Sequence, residues 1–299
     1  MIQSCNEWDP LKQVLLGSAM GMYWPVAQGA KWEVLPSGEP IPNNILEETE
    51  DGLAQYSNIL KSYDVDVLRP KPQDYSKING FGAYSTRDTV LIIHNKVIYT
   101  PTLFEYRRRE WPAMQDHFKS GEEIHAPLDD PDLFFDAANV IRCDRDILYL
   151  VSATGSLKGG QWLQETLGKE YNVHILQDLY HGSHLDSTIV PLKEGMVLLN
   201  RSRCSTEHLP EFLKKWDCIW IEPDMIKDIK SDYNISSKWI GMNIFTIKPG
   251  VVVADETQYE LNAYLTSRGI TVETINLPYA RYLLGGPHCT TLDTIRINR

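Results

Sequence analysis

Hydrophobic and polar positions along this chain follow a repeating order. Four stretches each hold two aliphatic runs broken by a polar or glycine-containing turn: VLIIHNKVIYT (90–100), NVIRCDRDILYLV (139–151), STIVPLKEGMVLLN (187–200) and MNIFTIKPGVVVAD (242–255). Paired β-branched runs around such a turn are the signature of a hairpin. A helical pattern and one more strand complete each unit. The spacing predicts helices over about 44–62, 103–119, 159–167, 206–215 and 257–268. In the first, Ile45, Leu53, Tyr56 and Leu60 keep mostly three- or four-residue steps, as one buried face requires. Ser205 or Thr206 can cap the start of the fourth helix, and Gly269 can end the fifth. The closing strands read VDVLRP, EIHAP, NVHILQ, DCIWIEP and TVETINLP, most of them stopped by a proline that cannot extend the ladder.

Near the C-terminus, TTLDTIRINR lacks a hairpin partner, and KQVLLGS (12–18) near the N-terminus supplies one. Pairing them closes a ring of five units. Self-similarity at about 50 residues marks a propeller or array. The expected fold is therefore α/β, a five-bladed pseudo-symmetric α/β propeller with strands along the axis and helices outside. No linker and no shift of composition interrupts the repeat, so residues 1–299 read as a single domain.

The polar positions repeat as well. Asp88, Asp136, His184, Ser237 and Cys289 stand just before the hairpins, at steps of 48, 48, 53 and 52 residues. Two acids, a base, a hydroxyl and a thiol at equivalent places of one unit predict a site on the pseudo-symmetry axis. Cys289 lies in LLGGPHCTTLD, where Gly285 and Gly286 permit close backbone approach and Pro287 stiffens the turn. It is a candidate nucleophile, because a thiolate needs the donors or positive charge that such a loop can gather. If 183–190 is extended, His184 and Asp186 share a face. His288 adjoins Cys289, but neighbours on an extended segment point apart. His181 and His184 carry no accompanying metal-ligand spacing, so no metal is expected. Asp136, flanked by Phe135 and Ala137, needs either His184 or a bound cation as partner. An Arg87–Asp88 pair is the plainer account of Asp88, although adjacent residues on a strand face apart.

The net charge of −11 excludes phosphate-backbone recognition and favours, weakly, a cationic ligand. No apolar run reaches the roughly 20 residues needed to cross a bilayer. The chain opens without a basic leader and carries an odd five cysteines. A reducing cytoplasmic setting is therefore expected, with no membrane or nucleic-acid partner. Cys5, Cys143, Cys204 and Cys218 read as packing residues.

These stretches together resemble a family. NEWDPLKQVLLG, YSTRDTVLIIHNKVIYTP, FEYRRREWP, FFDAANVIR, SHLDST, SSKWIGMN and LLGGPHCTTLD look like the arginine:glycine amidinotransferase family, in order and over nearly the entire chain. That resemblance implies the pentein fold. It also implies a ping-pong transferase that takes the amidino group of L-arginine onto Cys289, releases L-ornithine and passes the group to a small amine, without cofactor or metal. By motif match, His184 with Asp136 is the acid/base pair, and Asp88 and Asp186 hold the donor guanidinium. Arg203 matches the ligand of the donor carboxylate, and Ser236 and Ser237 match donor-binding serines. Homodimers occur among relatives.

Arginine deiminase-like hydrolases use similar residues but admit water, which makes them the alternative reading. A non-catalytic arginine-binding module is a third. In glycine-using members, Asn and Met precede the catalytic His at positions matched here by His181 and Ser183. A shorter Ser183 opens the acceptor pocket, so a larger amine of the kind used in natural-product biosynthesis is expected instead of glycine. The segment 21–44 reads as a long loop whose Trp24 and Trp32 either cover the site or tie the loop down.

Overall fold

The hairpins form where the aliphatic runs place them, and their turn residues explain why. His94 and Asp144 take left-handed backbone angles (φ 56° and 59°), as do Gly195 and Gly250 (φ 77° and 81°). These are the conformations a tight hairpin demands of its turn. In the computed structural model, which describes residues 1–26, 37–231 and 233–297, each hairpin supplies two of the three strands of a repeated sheet. Val90–Ile93 pairs antiparallel with Lys96–Tyr99, which pairs parallel with Glu122–His125. The same order recurs in Val140–Cys143, Asp146–Leu150 and Asn172–Leu176. It recurs again in Ile189–Lys193, Met196–Asn200 and Asp217–Ile221, and in Phe245–Lys248, Val251–Asp255 and Thr271–Ile275.

The fifth sheet is built from both ends of the chain. Thr291–Arg296 pairs antiparallel with Leu11–Leu16, which runs parallel to Asp66–Leu68. The partner expected from the sequence is therefore the one used. First strands of neighbouring units pack against one another around the axis. Among the described residues the helices Asn43–Ser62, Leu157–Leu167 and Tyr259–Ser267 lie outside, and the first buries Ile45, Leu53, Tyr56 and Leu60 as its periodicity required. The five-unit α/β architecture of the pentein fold is the one this chain adopts.

Two expected helices do not form as such. The stretch 103–119 is two short turns, Glu105–Arg108 and Trp111–Met114, followed by a 3-10 turn at Gln115–His117. Pro112, which has no amide hydrogen to give, starts the second turn instead of continuing the first. The stretch 206–215 holds only 3-10 turns at Thr206–His208 and Leu213–Lys215. Pro210 drives Leu209 into an extended conformation (φ −80°, ψ 138°) and cuts the helix there. Ser205 does cap the first of these turns, and Gly269, at φ 77°, follows the last helix.

Trp24 is buried against Phe81 and donates its indole N–H to the Tyr282 hydroxyl at 2.9 Å, so this end of the 21–44 loop is tied down. Trp32 lies outside the described residues.

Residues 2–9 form a strap across one end of the axis. Ser4 bridges His94 of one unit, Asn6 bridges Cys143 of the next, and Gln3 bridges Ile295. The strap carries Glu7 into a buried ionic network. Glu7 accepts from Arg142 at 2.8 Å and faces Arg87 at 3.4 Å. Asp293 accepts from Arg142 at 2.8 Å, Arg87 at 2.6 Å and Arg296 at 2.5 Å. Arg87 and Arg296 also lie over the Phe245 ring. Asp293 is fully buried, and the three guanidinium charges hold its carboxyl well below the usual range even though burial alone would raise it. Arg87 thus pairs with Asp293 and Glu7, not with Asp88.

Removing one partner of such a cluster leaves charge buried without compensation. Asp293→Asn is expected to lower the free energy of unfolding by about 3–5 kcal/mol, read from urea denaturation. A loss within about 0.5 kcal/mol would mean that the network adds nothing to stability beyond a surface pair.

Candidate active site

The residues ahead of the hairpins converge because the loops that carry them are stitched to one another. Ala137 N–H donates to Asp88 C=O at 2.7 Å, and Leu185 N–H donates to Ala138 C=O at 2.9 Å. His288 N–H donates to Asn243 C=O at 3.2 Å, and Arg87 N–H donates to Cys289 C=O at 3.3 Å. Each bond joins one unit to another, so the repeat itself draws the candidate side chains to the axis.

Cys289 sits on a turn, held by Thr290 N–H to Gly286 C=O at 3.1 Å, immediately before the strand Thr291–Arg296. The Asn243 side-chain oxygen accepts from both His288 N–H and Cys289 N–H, at 2.9 and 3.0 Å. The close approach expected of the glycines is real. A Cβ on Gly285 would lie 2.5 Å from Ser85 Oγ, and one on Gly286 would lie 2.9 Å from the Asn243 side chain.

His184 Nε2 lies 3.0 Å from Asp136 Oδ2, and His184 Nδ1 lies 3.8 Å from Asp88 Oδ1. Its partner is thus the one foreseen for Asp136. The segment 183–188 is not extended, which corrects the face-sharing argument. His184 has φ 56°, a left-handed conformation rare for a side chain of this kind, and a turn leads into the strand Ile189–Lys193. The turn still brings Asp186 to the nucleophile: Cys289 Sγ lies 3.3 Å from Asp186 Oδ2. His288 is likewise on a turn, so the alternation argument that pointed it away fails. Its Nδ1 lies 2.9 Å from the same Asp186 oxygen.

Asp88 is held from behind by Arg107, whose Nη2 lies 3.1 Å from Asp88 Oδ2 and whose Nε donates to Glu110 at 2.6 Å. Among the described residues, Asp88 Oδ1 and Asp136 Oδ1 are buried without a hydrogen-bond partner. Burial raises the Asp88 carboxyl above its ordinary value, against the opposing charges of His184 and Arg107. At His184, burial favours the neutral ring, but the Asp88 charge and the hydrogen bond to Asp136 outweigh it and push the imidazole up to about 9. Asp186 goes the other way: despite burial, the hydrogen bond and charge of His288 hold it at about 2. Burial, then the charges of Asp186 and Asp88, push the Cys289 thiol well above its usual value.

Beside this cluster Arg203 donates to Ser187 Oγ at 2.9 Å, Thr188 Oγ1 at 3.1 Å and Ser237 Oγ at 3.0 Å, and it lies over the Tyr180 ring. Ser236 is turned elsewhere, donating to Arg281 C=O at 3.1 Å. His181 is exposed on the loop that leads to His184, and Ser183 adjoins the base. No group of His, Cys, Asp or Glu placed to hold a metal ion occurs among the described residues.

Arg107, Glu110, Asn243 and Glu7 escaped the sequence reading, and His288 was set aside by it. Arg107 sits among three consecutive arginines, of which pattern alone does not say which is buried. Asn243 stands at the start of the fourth hairpin, where the repeat itself could have drawn attention to it.

The arrangement is a thiol, an imidazole–carboxylate pair and two further carboxylates around one buried point, with a guanidinium-bearing anion site alongside. It can hold a planar cation by its edges and attack it with sulfur. No protein-family model matches the chain. It is 36% identical to inosamine-phosphate amidinotransferase 1 of Streptomyces griseus, over 98% of this chain and 96% of that one. A solved structure of a Streptomyces griseus inosamine-phosphate amidinotransferase superposes with a TM-score of 0.91 at 35% identity, covering 100% of this chain and 98% of the other. An L-arginine:L-lysine amidinotransferase of Pseudomonas savastanoi pv. phaseolicola is 25% identical over 98% of this chain and 94% of its own.

Because Asp186 raises the thiol, neutralising it lowers the Cys289 pKa and enlarges the thiolate fraction at any pH below that value. Asp186→Asn is expected to speed alkylation of Cys289 by iodoacetamide at pH 7–8, followed by mass spectrometry of its peptide. An unchanged rate would show that the carboxylate does not govern the thiol.

Proposed function

The chain belongs to the amidinotransferase family, and from that premise we propose that it transfers the amidino group of L-arginine to an amine larger than glycine by way of Cys289. The observation that carries the reading is the pair of buried acids, Asp88 and Asp186, on either side of the thiol and the base. A guanidinium needs such partners, because charge-assisted bonds on its edges offset its desolvation. Asp88 Oδ1 is buried without a hydrogen-bond partner, and Asp186 Oδ2 already faces the sulfur. The pentagon of loops fixes both relative to the nucleophile.

The chemistry follows from the charges. The arginine cation cancels the field of Asp88 and Asp186 that keeps the thiol protonated, so Cys289 ionises as the donor binds and its proton leaves to solvent. The thiolate attacks the guanidinium carbon and forms the S–C bond. His184, charged at neutral pH, gives its proton to the departing Nε of arginine as the Cζ–Nε bond breaks. The products are neutral ornithine amine, an amidino-thioether cation on Cys289 and a neutral His184. An incoming amine attacks that carbon, His184 takes its proton, and thiolate and imidazolium are restored. Asp136 fixes the ring and stabilises its charged form through the 3.0 Å contact. Arg203 with Ser237 receives the donor's carboxylate, and Ser236 supports the same loop from its bond to Arg281.

On the acceptor side, His181 and Ser183 stand where glycine-using members carry Asn and Met, and the shorter Ser183 leaves more room than that Met. The inosamine-phosphate and L-lysine amidinotransferases, at 36% and 25% identity, are named for acceptors larger than glycine, whereas two glycine amidinotransferases match at 28% and 27%. A phosphorylated amino-cyclitol or a comparable bulky amine fits this reading best.

Incubation with arginine alone is expected to leave an amidino-sized adduct on the Cys289 peptide. With an acceptor present, ornithine should appear in proportion to a new guanidino compound, and Cys289→Ala should lose at least about 10³-fold in turnover. Citrulline formed without any amine would make the protein a hydrolase instead. In a panel of inosamine phosphates, lysine, ω-amino acids and glycine, kcat/KM is expected to be lowest for glycine. Glycine as the best acceptor would refute the pocket argument.

A further inference from the structure

The mechanism above leaves one buried titratable group next to the nucleophile without a task. His288 lies between two carboxylates that belong to different parts of the fold. Its Nδ1 is 2.9 Å from Asp186 Oδ2, the same oxygen that lies 3.3 Å from Cys289 Sγ. Its Nε2 is 3.4 Å from Glu7 Oε2. Glu7 arrives on the N-terminal strap and is itself clamped by Arg142, through Nε to Oε1 and Nη2 to Oε2, each at 2.8 Å. The backbone of His288 is fixed independently: Asn243 Oδ1 accepts from its N–H, and Arg87 Nε donates to its C=O at 3.2 Å.

Beside the ring lies a cavity of about 10 Å³ lined by Glu7, Asp186, Thr246 and His288 among aliphatic side chains. That is room for about one water, and because Glu7, Asp186 and His288 are all buried, bulk solvent screens their contacts little. A continuous line therefore runs from Arg142 through Glu7, His288 and Asp186 to the sulfur.

We propose that His288 is a positioning residue: held in place by Glu7 of the N-terminal strap, it donates from Nδ1 to Asp186 and keeps that carboxylate ionised and aimed at the donor cation. This rests on the reading of Asp186 as a ligand of the donor guanidinium. Burial alone would drive Asp186 toward its neutral form. A neutral acid would lack the charge that attracts a guanidinium and would spend one oxygen on its own hydrogen. The other groups that act on Asp186 are His184 and Arg203, which favour its charge, Asp88, which opposes it, and the Cys289 thiol, which donates to Oδ2 at 3.3 Å and loses that hydrogen when it ionises. Once the sulfur is a thiolate, His288 is the remaining hydrogen-bond donor to that oxygen among the described residues.

Two measurements on the full chain test this. Nitrogen NMR of histidine-labelled wild-type protein reports which ring nitrogen carries hydrogen, and Nδ1 of His288 is expected to be protonated at neutral pH. An unprotonated Nδ1 overturns the proposal, whatever the variants do. The second measurement is the pH profile of kcat/KM for arginine. In His288→Leu, which offers no donor, the acid limb is expected to move up by about 1–3 pH units, with a raised KM at low pH. His288→Asn, whose amide reaches the position of Nδ1, should restore most of the wild-type profile. Equal losses in both variants with an unshifted limb would reduce His288 to packing and refute the role. Wild-type protein inert toward arginine would defeat the donor reading instead, while the NMR result would still decide the hydrogen bond.

Discussion

Everything in this molecule hangs on compensating charge along an axis that water hardly reaches. Arg87, Arg142 and Arg296 come from three different units, and Asp293 and Glu7 lie between them. Ordinary aliphatic packing would hold any two units together, but it is indifferent to small rotations. Buried guanidinium–carboxylate pairs are not, because each has few geometries that satisfy its donors. The network therefore sets the phase of the five units relative to one another. The loops that bear Asp88, Asp136, His184 and Cys289 emerge at one end of that same axis, so their spacing inherits the precision of the network beneath them.

The site is in tension with itself. Asp88, Asp136, His184, Asp186 and His288 crowd a buried thiol, and Asp186 and Asp88 oppose its ionisation. The left-handed backbone at His184 is a second departure from local comfort. Such departures persist only where the surroundings over-determine them. Here the inter-unit backbone bonds at Asp88, Ala138, Asn243 and Cys289 provide that constraint. A cationic substrate would relieve the electrostatic part, which gives the site a physical reason to prefer a guanidinium over a neutral amide.

Much of this was legible in the sequence, for reasons tied to periodicity. Hairpins write themselves as paired aliphatic runs, and a polar residue standing before each of them at a regular interval marks the axis. The pairing of 12–18 with the strand after Cys289 followed from counting, since one hairpin lacked a mate. Local chemistry interrupted the reading at Pro112 and Pro210, where one missing amide hydrogen outweighs ten residues of apolar spacing. The segments around His184 and His288 misled for a different reason. Both are turns, and the alternation rule that places side chains on strand faces has no force there. Glu7 was invisible because its partner lies far off in sequence, with Arg142 at a separation of 135 residues, and Arg107 because nothing in a run of three arginines marks the buried one.

The sheet that joins Thr291–Arg296 to Leu11–Leu16 brings together positions such as Thr294 and Gln13, 281 residues apart. Contacts of that range carry the largest loop-closure entropy and form slowly. The four other sheets can each assemble from one local stretch of chain, whereas this one must wait for them. Cys289 stands two residues before the closing strand, so its neighbours gather around the sulfur only when the clasp shuts. A half-folded molecule would own every side chain proposed for the site and still not bring them together. Appearance of activity during refolding would then trace the slowest event on the folding route, and the enzyme would act as its own clock.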